Sequence, residues 1–437
     1  MKKTLLTFLL FFACLGTVSA VGASGIYRWS VSLSGYISPE TGKAPNAFLW
    51  IPDGCRRVKA VIVAQQNMTE ETLYRMDSFR RSLKSMDVAL VWVAPAFTLN
   101  WSPETGCQAV FDEMMTALAY QSGHAELSGC PVIPLGHSAQ ATFPWNFAAF
   151  NPGRTLCVIS LHGDAPRTNL CGYGTANVEW GRTRNIDGIP GLMIEGEYEW
   201  WEARVRPALA FRMMYPESCI SFLADTGRGH FDCSERTADY IARFIRKAMM
   251  LRLAADGSLV KVDPTRGWLA ERWSPDDKPR PAAAPFTAYS GDVHDAFWYP
   301  DREMAMLTEA RYAETKGKQM QYMGLMCGGK PVPYTTKLQG GMSVNFTSTD
   351  GKTMVIRPFY ADSTHVVPTS NHSKARQRVE IICGPLEQVN DTTFRLRHYE
   401  AGMDNPRRSF VAWVVAVGDA DSRYKGAVQP LRIDLRM

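Results

Sequence analysis

Two short segments carry the residue types that an activated hydroxyl requires. Gly136-His137-Ser138-Ala139-Gln140 follows the apolar run Pro131–Leu135, and a helical pattern continues to about Phe150. A serine on a sharp strand-to-helix turn is held out above the strand end, with the next residue's N–H open to a developing oxyanion. Gly136 suits so tight a turn; Gln140 stands where a second glycine is usual, and Ala141 follows. Gly227-Arg228-Gly229-His230-Phe231 lies between the run Ile220–Ala224 and the helical stretch Glu235–Leu253. A neutral imidazole at His230 would take the Ser138 proton during attack and return it to the leaving group. An acid that holds this imidazole should follow the strand Gly191–Ile194 in the order nucleophile, acid, histidine. Glu199, third after Gly196, is the expected acid; Glu197, Glu195 and Asp164 are the alternatives. Ala139 is the expected first oxyanion donor, and Asn67, in the loop Gln65-Gln66-Asn67-Met68, the second, with Gln66 and Met68 as alternatives.

Other residues fall near the same place. His162 and Asp164 close the strand Cys157–Leu161; they would hold substrate hydroxyls or satisfy one another. Arg228, two residues before His230, and Trp200, one after Glu199, are substrate-binding candidates, as are Arg182 and Arg184. Arginine pairs with carboxylates in a two-pronged way. Trp145, Trp180 and Trp201 would be sugar-stacking platforms or core, and His137 packing. His162-Gly163-Asp164 lacks metal-ligand spacing. No metal and no cofactor are expected.

The elements that must position these residues alternate between strand and helix over residues 27–254, the pattern of a mostly parallel sheet covered on both faces. Tyr27–Tyr36 and Ala47–Pro52 read as an antiparallel opening pair. Ala60–Ala64 and Ala89–Val93 are short continuous apolar runs, as strands buried on both faces are. Thr69–Met86, Cys107–Tyr120 and Glu202–Met214 read as helical. Residues 255–290 hold Pro264, Pro275, Pro279, Pro281 and Pro285 and read as an extended linker, packed through Trp268 and Trp273. Asp301–Lys316 reads as a helix, and from Gly328 short strands between Gly, Asn and Asp turns suggest a small β-sandwich.

The 437 residues are 46% hydrophobic and 21% charged, an ordinary globular balance. Lys2 and Lys3, the apolar run Leu5–Ala13 and Val18-Ser19-Ala20 make an export signal cleaved after Ala20. Cys14 offers a lipoprotein alternative. No later stretch is apolar and long enough to span a membrane, so the mature protein is expected in the periplasm, secreted or on the cell surface. Its charge of +5 falls to +3 once Lys2 and Lys3 are removed, too mild to argue for nucleic acid. The ten cysteines include no C-x-x-C, and several, such as Cys157, Cys219 and Cys383, lie in apolar strands.

With three motifs in this order, residues 27–254 resemble an α/β-hydrolase catalytic domain. The whole chain is similar to exported bacterial carbohydrate esterases, and among them to pectin methylesterases. The expected organisation is a signal peptide (1–20), a catalytic domain (27–254), a linker and helix packed on it (255–327) and a β-sandwich-like domain (328–437). The resemblance implies a serine esterase acting on a plant cell-wall polysaccharide or oligosaccharide, with methyl esters of pectin as the leading substrate. An acetyl or feruloyl esterase, a peptidase of the same fold and an inactive carbohydrate-binding protein are the alternatives.

Overall fold

A computed structural model describes residues 26–333 except 40, 68, 169–176, 182–185, 200, 231–232 and 276–277, and beyond 333 chiefly strands. The leader, Cys383, Trp200, Arg182 and Arg184 lie outside the described residues.

Eight strands form one sheet: β1 (Trp29–Ser32), β2 (Asn46–Trp50), β3 (Ala60–Gln65), β4 (Val88–Ala94), β5 (Val132–His137), β6 (Val158–Leu161), β7 (Pro190–Gly196) and β8 (Cys219–Asp225). Their spatial order is β1-β2-β4-β3-β5-β6-β7-β8. The first two pairings in that order, β1 with β2 and β2 with β4, are antiparallel; the remaining ones are parallel. This is the α/β-hydrolase fold. The chain leaves β3 for β4 on one side and enters β5 on the other, so the carboxyl ends of β3 and β5 border a topological switch point, where open α/β sheets place their ligands.

The apolar runs become central strands because both of their faces are covered. Ala60, Ile62, Ala64, Leu90, Trp92, Ile133 and Leu135 face one core, and Val61, Val63, Ala89, Val91, Val93 and Val132 face the other. That is the two-residue alternation of a pleated strand. The first core receives α1 (Glu70–Arg75), α2 (Asp77–Lys84) and, later in the chain, Phe244 and Ile245. The second receives α3 (Cys107–Ser122) through Phe111, Met114, Met115 and Leu118. The helix α4 (Phe143–Phe150) serves both, Trp145 on one side and Phe147 on the other. Two more helices follow, α5 (Trp201–Met214) and α6 (Glu235–Arg252). The stretch read as a single amphipathic helix, Thr69–Met86, is two, because Met76 between them is extended (φ −69°, ψ 121°).

The proline-rich stretch differs from the linker expected of it. It contains β9 (Trp268–Glu271) and β10 (Ala284–Pro285), which join β11 (Ala296–Tyr299) in a three-stranded antiparallel sheet. Pro285 sits in edge strand β10, where a missing N–H costs no ladder bond. Trp273 is buried in the main core, and Trp268 packs against it. The added sheet docks on β8: the Tyr299 hydroxyl donates to the Phe222 carbonyl (2.6 Å), and the two rings of Phe222 and Phe297 stack at 5.0 Å. A helix, α7 (Arg302–Ala313), follows. The C-terminal region is β-rich and antiparallel, with a five-stranded sheet that includes Met323–Cys327 and Ser343–Ser348 and a three-stranded one of Met354–Phe359, Ser409–Ala416 and Ala427–Asp434. Among the described residues no helix is long and apolar enough to cross a membrane.

Arg252, the last residue of α6, ties this frame together. It is buried, and its guanidinium donates to the carbonyls of Thr155 (2.9 Å), Gly188 (3.2 Å), Val260 (2.7 Å) and Pro152 (2.8 Å). Leaving buried carbonyls without donors costs about 1–3 kcal/mol each. Arg252→Ala is therefore expected to lower unfolding free energy in urea by about 3 kcal/mol or more. A loss below about 1 kcal/mol would mean that these carbonyls find other donors.

Candidate active site

The chain turns sharply at the end of β5. Ser138 has φ 53°, in the left-handed region, and the turn Ser138–Gln140 leads toward α4. A side chain in that backbone costs about 1–3 kcal/mol, so its surroundings must enforce it. Three hydrogen bonds do so. The His137 N–H donates to Glu70 Oε1 (2.8 Å), the Asn67 side-chain amide donates to the His137 carbonyl (2.5 Å), and the Ala141 N–H returns to the Ser138 carbonyl (2.9 Å). Two glycines clear the space. A Cβ at Gly136 would lie 2.0 Å from the Gln140 carbonyl oxygen, and one at Gly163, on the neighbouring strand's exit, 1.9 Å from the Ala141 Cβ. Gly163 thus provides room beside the turn, in a segment where Gln140 and Ala141 stand after the serine.

Ser138, His230 and Glu199 come together in one hydrogen-bonded chain. His230 Nε2 lies 2.8 Å from Ser138 Oγ, and His230 Nδ1 lies 2.5 Å from Glu199 Oε2. The other carboxylate oxygen, Oε1, accepts from His162 Nδ1 and from the Gly196 N–H. The loops that bear the acid and the histidine are laced backbone to backbone: Tyr198 N–H donates to the Arg228 carbonyl (2.9 Å) and Glu197 N–H to the Asp225 carbonyl (3.1 Å). A Cβ at Gly196 would come 2.6 Å from that Arg228 carbonyl, which is why the loop needs glycine there. His137 adds a buckle: its Nε2 donates to the His230 carbonyl (2.8 Å).

The electrostatics follow from burial and neighbours. Burial alone would raise the Glu199 pKa, but the imidazoles of His162 and His230 and their hydrogen bonds hold it well below the usual carboxylate range, so it is ionised. Glu195 lies deeper. Burial first, then the Glu199 charge, push its pKa well above the usual range, and it keeps its proton. Burial first, then His230 and His162, push the pKa of His137 well down, which leaves it neutral.

The alternatives for the acid are engaged elsewhere. Glu197 accepts from the Gly227 N–H (2.8 Å) and pairs with Lys425 (2.5 Å). Asp164 is fully buried; it accepts from Thr142 (3.1 Å) and lies 3.9 Å from Arg204. His162 and Asp164 were expected to offer substrate contacts or satisfy one another. Both are buried, and the bonds just given turn His162 to Glu199 and Asp164 to Thr142. Ala139 lies in the turn after Ser138, and Asn67 lies beside that turn. Arg228 is half-buried on the histidine loop, close enough to Tyr198 for its charge to act on that phenol. Trp145 and Trp180 are core, their indoles bonded to the Asp164 carbonyl and to Asn146 (both 2.8 Å). Glu70 was missed: a buried acid on a short helix carries no sign in the sequence that it reaches the backbone of β5.

His162 Nδ1, the Glu199 carboxylate and His230 Nδ1 lie within 4.8 Å of one another, close enough to surround a metal ion. In this structure those atoms face one another as N–H donors and carboxylate acceptor, and an ion could enter only by displacing those hydrogens.

No family model and no curated protein sequence matches the chain. Solved structures do. A thermostable esterase matches at 10% identity over 46% of this chain and 56% of its own length (TM-score 0.32). The fluorophosphonate-binding serine hydrolase FphF of Staphylococcus aureus matches at 14% identity over 52% of this chain and 98% of its own (TM-score 0.33). An esterase of Pyrobaculum calidifontis matches at 10% identity over 52% and 86% (TM-score 0.37).

The buried acid beside Glu199 sets a pH dependence of stability. The folded-state pKa of Glu195 is raised above its unfolded value, so its contribution is complete below about 4.5 and is lost as pH rises toward the folded value. Glu195→Gln cannot ionise. In urea unfolding at a series of pH values, the variant should gain on the parent above pH 4.5, by at most about 1.4 kcal/mol per pH unit. Parallel curves would mean that Glu195 is ionised in the folded protein.

Proposed function

We propose that this protein is a serine hydrolase that cleaves carboxylic esters through an acyl-enzyme. The observation that carries the reading is the continuous chain Ser138–His230–Glu199 on a strained turn at the switch point of the sheet. In the first step Ser138 Oγ attacks the ester carbonyl while His230 Nε2 takes its proton. Glu199, ionised, holds the Nδ1–H tautomer and stabilises the imidazolium. The tetrahedral oxyanion is received by the Ala139 N–H and by a donor of the Asn67 loop. His230 then returns the proton to the leaving alkoxide, the C–O bond breaks, and an acyl group remains on Ser138. Water, deprotonated by the same imidazole, releases the acid and restores the hydroxyl.

For the substrate we propose an ester on a plant cell-wall polysaccharide, with methyl esters of pectin first. In such an ester the uronic acid is the acyl half and methanol leaves, so the acyl-enzyme holds a sugar with carboxylates along the same chain. Arg228, on the loop that carries His230, would pair with those carboxylates. An exported location, as the leader-like first twenty residues suggest, would suit a polymeric substrate.

Ser138→Ala and His230→Ala are each expected to fold and to lose about 10⁴-fold or more in turnover. Glu199→Gln should lose about a thousandfold or more, and Glu197→Gln and Asp164→Asn far less. Retention of more than about a tenth of activity by Ser138→Ala would remove the serine mechanism. An equal loss at Asp164 would move the acid to β6. Incubation with pectins of known methyl and acetyl content should release methanol; acetate or ferulate without methanol would replace the substrate and leave the mechanism standing.

A further inference from the structure

We infer that His162 is a positioning residue of the catalytic apparatus, its Nδ1–H fixing the Glu199 carboxylate whose other oxygen orients His230. This rests on the serine-hydrolase reading above. A carboxylate held only through Oε2 could turn about its own axis and carry the His230 ring with it. Here Oε1 is taken by His162 Nδ1 and the Gly196 N–H, and Oε2 by His230 Nδ1. Both oxygens are engaged from different strands, and the plane of the carboxylate is set.

His162 is itself tightly held. It leaves β6, the strand between the one that leads to Ser138 and the one that leads to Glu199. Its N–H donates to the Ile194 carbonyl of β7 (2.7 Å), its side chain is 3% exposed, and its ring lies edge-on to those of His137 (5.3 Å) and His230 (5.9 Å). Its backbone is also in the left-handed region (φ 51°), where residues other than glycine are uncommon. Gly163 follows directly, so the strained position belongs to the imidazole and not to the glycine beside it. Strain kept by a side chain aimed at a reacting group is a mark of function.

Glu199 faces His162 and His230, with His137 behind them, Glu195 on the preceding strand β7, Asp164 on the His162 segment and Arg204 from α5. Two imidazoles share one carboxylate charge. Without His162, more of that charge falls on His230, whose protonated form is then favoured to higher pH. The acid limb of the pH–rate profile, which reports neutral His230, should move upward.

The test uses the full-length protein and 4-nitrophenyl acetate. His162→Ala should lower kcat about ten- to a hundredfold, leave KM nearly unchanged, and raise the acid limb of kcat/KM by about half a pH unit or more. His162→Asn carries an amide N–H where Nδ1 stood and tolerates the left-handed backbone; it should restore the rate to within about threefold and the limb to its parental place. His162→Gln, whose amide reaches the Nε2 position, should not. The Asn and Gln variants decide the matter even where the Ala variant does not fold. Parental kcat and pH profile in His162→Ala would overturn the inference. So would a lost rate with an unmoved or lowered limb, or rescue by Gln and not by Asn. Failure of the underlying reading is separable, because it would appear as turnover surviving in Ser138→Ala.

Discussion

The buried carboxylate of Glu199 receives N–H groups from His230, His162 and Gly196, and the geometry above the central strands depends on that convergence. A carboxylate removed from water stays ionised only where donors replace the water it has lost. Each of the three comes from a different place: a loop after β8, the exit of β6, and the last residue of β7 itself. The sheet brings them together because β6, β7 and β8 are parallel neighbours whose carboxyl ends open on the same side. Moving any one strand by a residue would face its side chain to the opposite side of the sheet and break the chain. The two cores that fix the register, rather than the polar groups alone, are therefore what holds the serine and the imidazole at 2.8 Å.

The C-terminal part of the chain also reaches this region. Lys425 pairs with Glu197, the Tyr198 hydroxyl donates to the Gly426 carbonyl (2.6 Å), and Gly227 lies against Gly426. These contacts brace the acid and histidine loops from outside, at residues two and one before Glu199 and three before His230. A segment 228 residues away in sequence from the residues it holds thus stiffens the turn from which Glu199 projects. The brace accounts for Glu197, a carboxylate with a structural partner on each oxygen.

Much of the frame was legible in the sequence because strands buried on both faces leave continuous apolar runs, and Ala60–Ala64 and Ala89–Val93 are such runs. Ser138, His230 and Glu199 were legible as loop positions following three strands in a fixed order. The choice among Glu195, Glu197 and Glu199 was not decidable by alternation, which would place all three on one side. The turn in which the Glu199 N–H meets the Gly196 carbonyl (3.3 Å) breaks that period and sends the three carboxylates to different environments. Nor could spacing show that His162 meets Glu199 or that Glu70 holds the backbone of His137, since both are contacts between distant segments. The strands β9 and β11 were hidden for another reason: prolines and charges around them mask a short apolar pattern that only docking on β8 makes stable.

An acyl-enzyme mechanism requires that the Ser138 hydroxyl become covalently acylated. The most direct measurement is intact-protein and peptide mass spectrometry after rapid acid quenching of the enzyme during turnover of 4-nitrophenyl acetate. One added acetyl group is expected, mapped to the peptide that contains Ser138 and lacking in Ser138→Ala. An adduct on another residue, or an equal yield of adduct in Ser138→Ala, would contradict it.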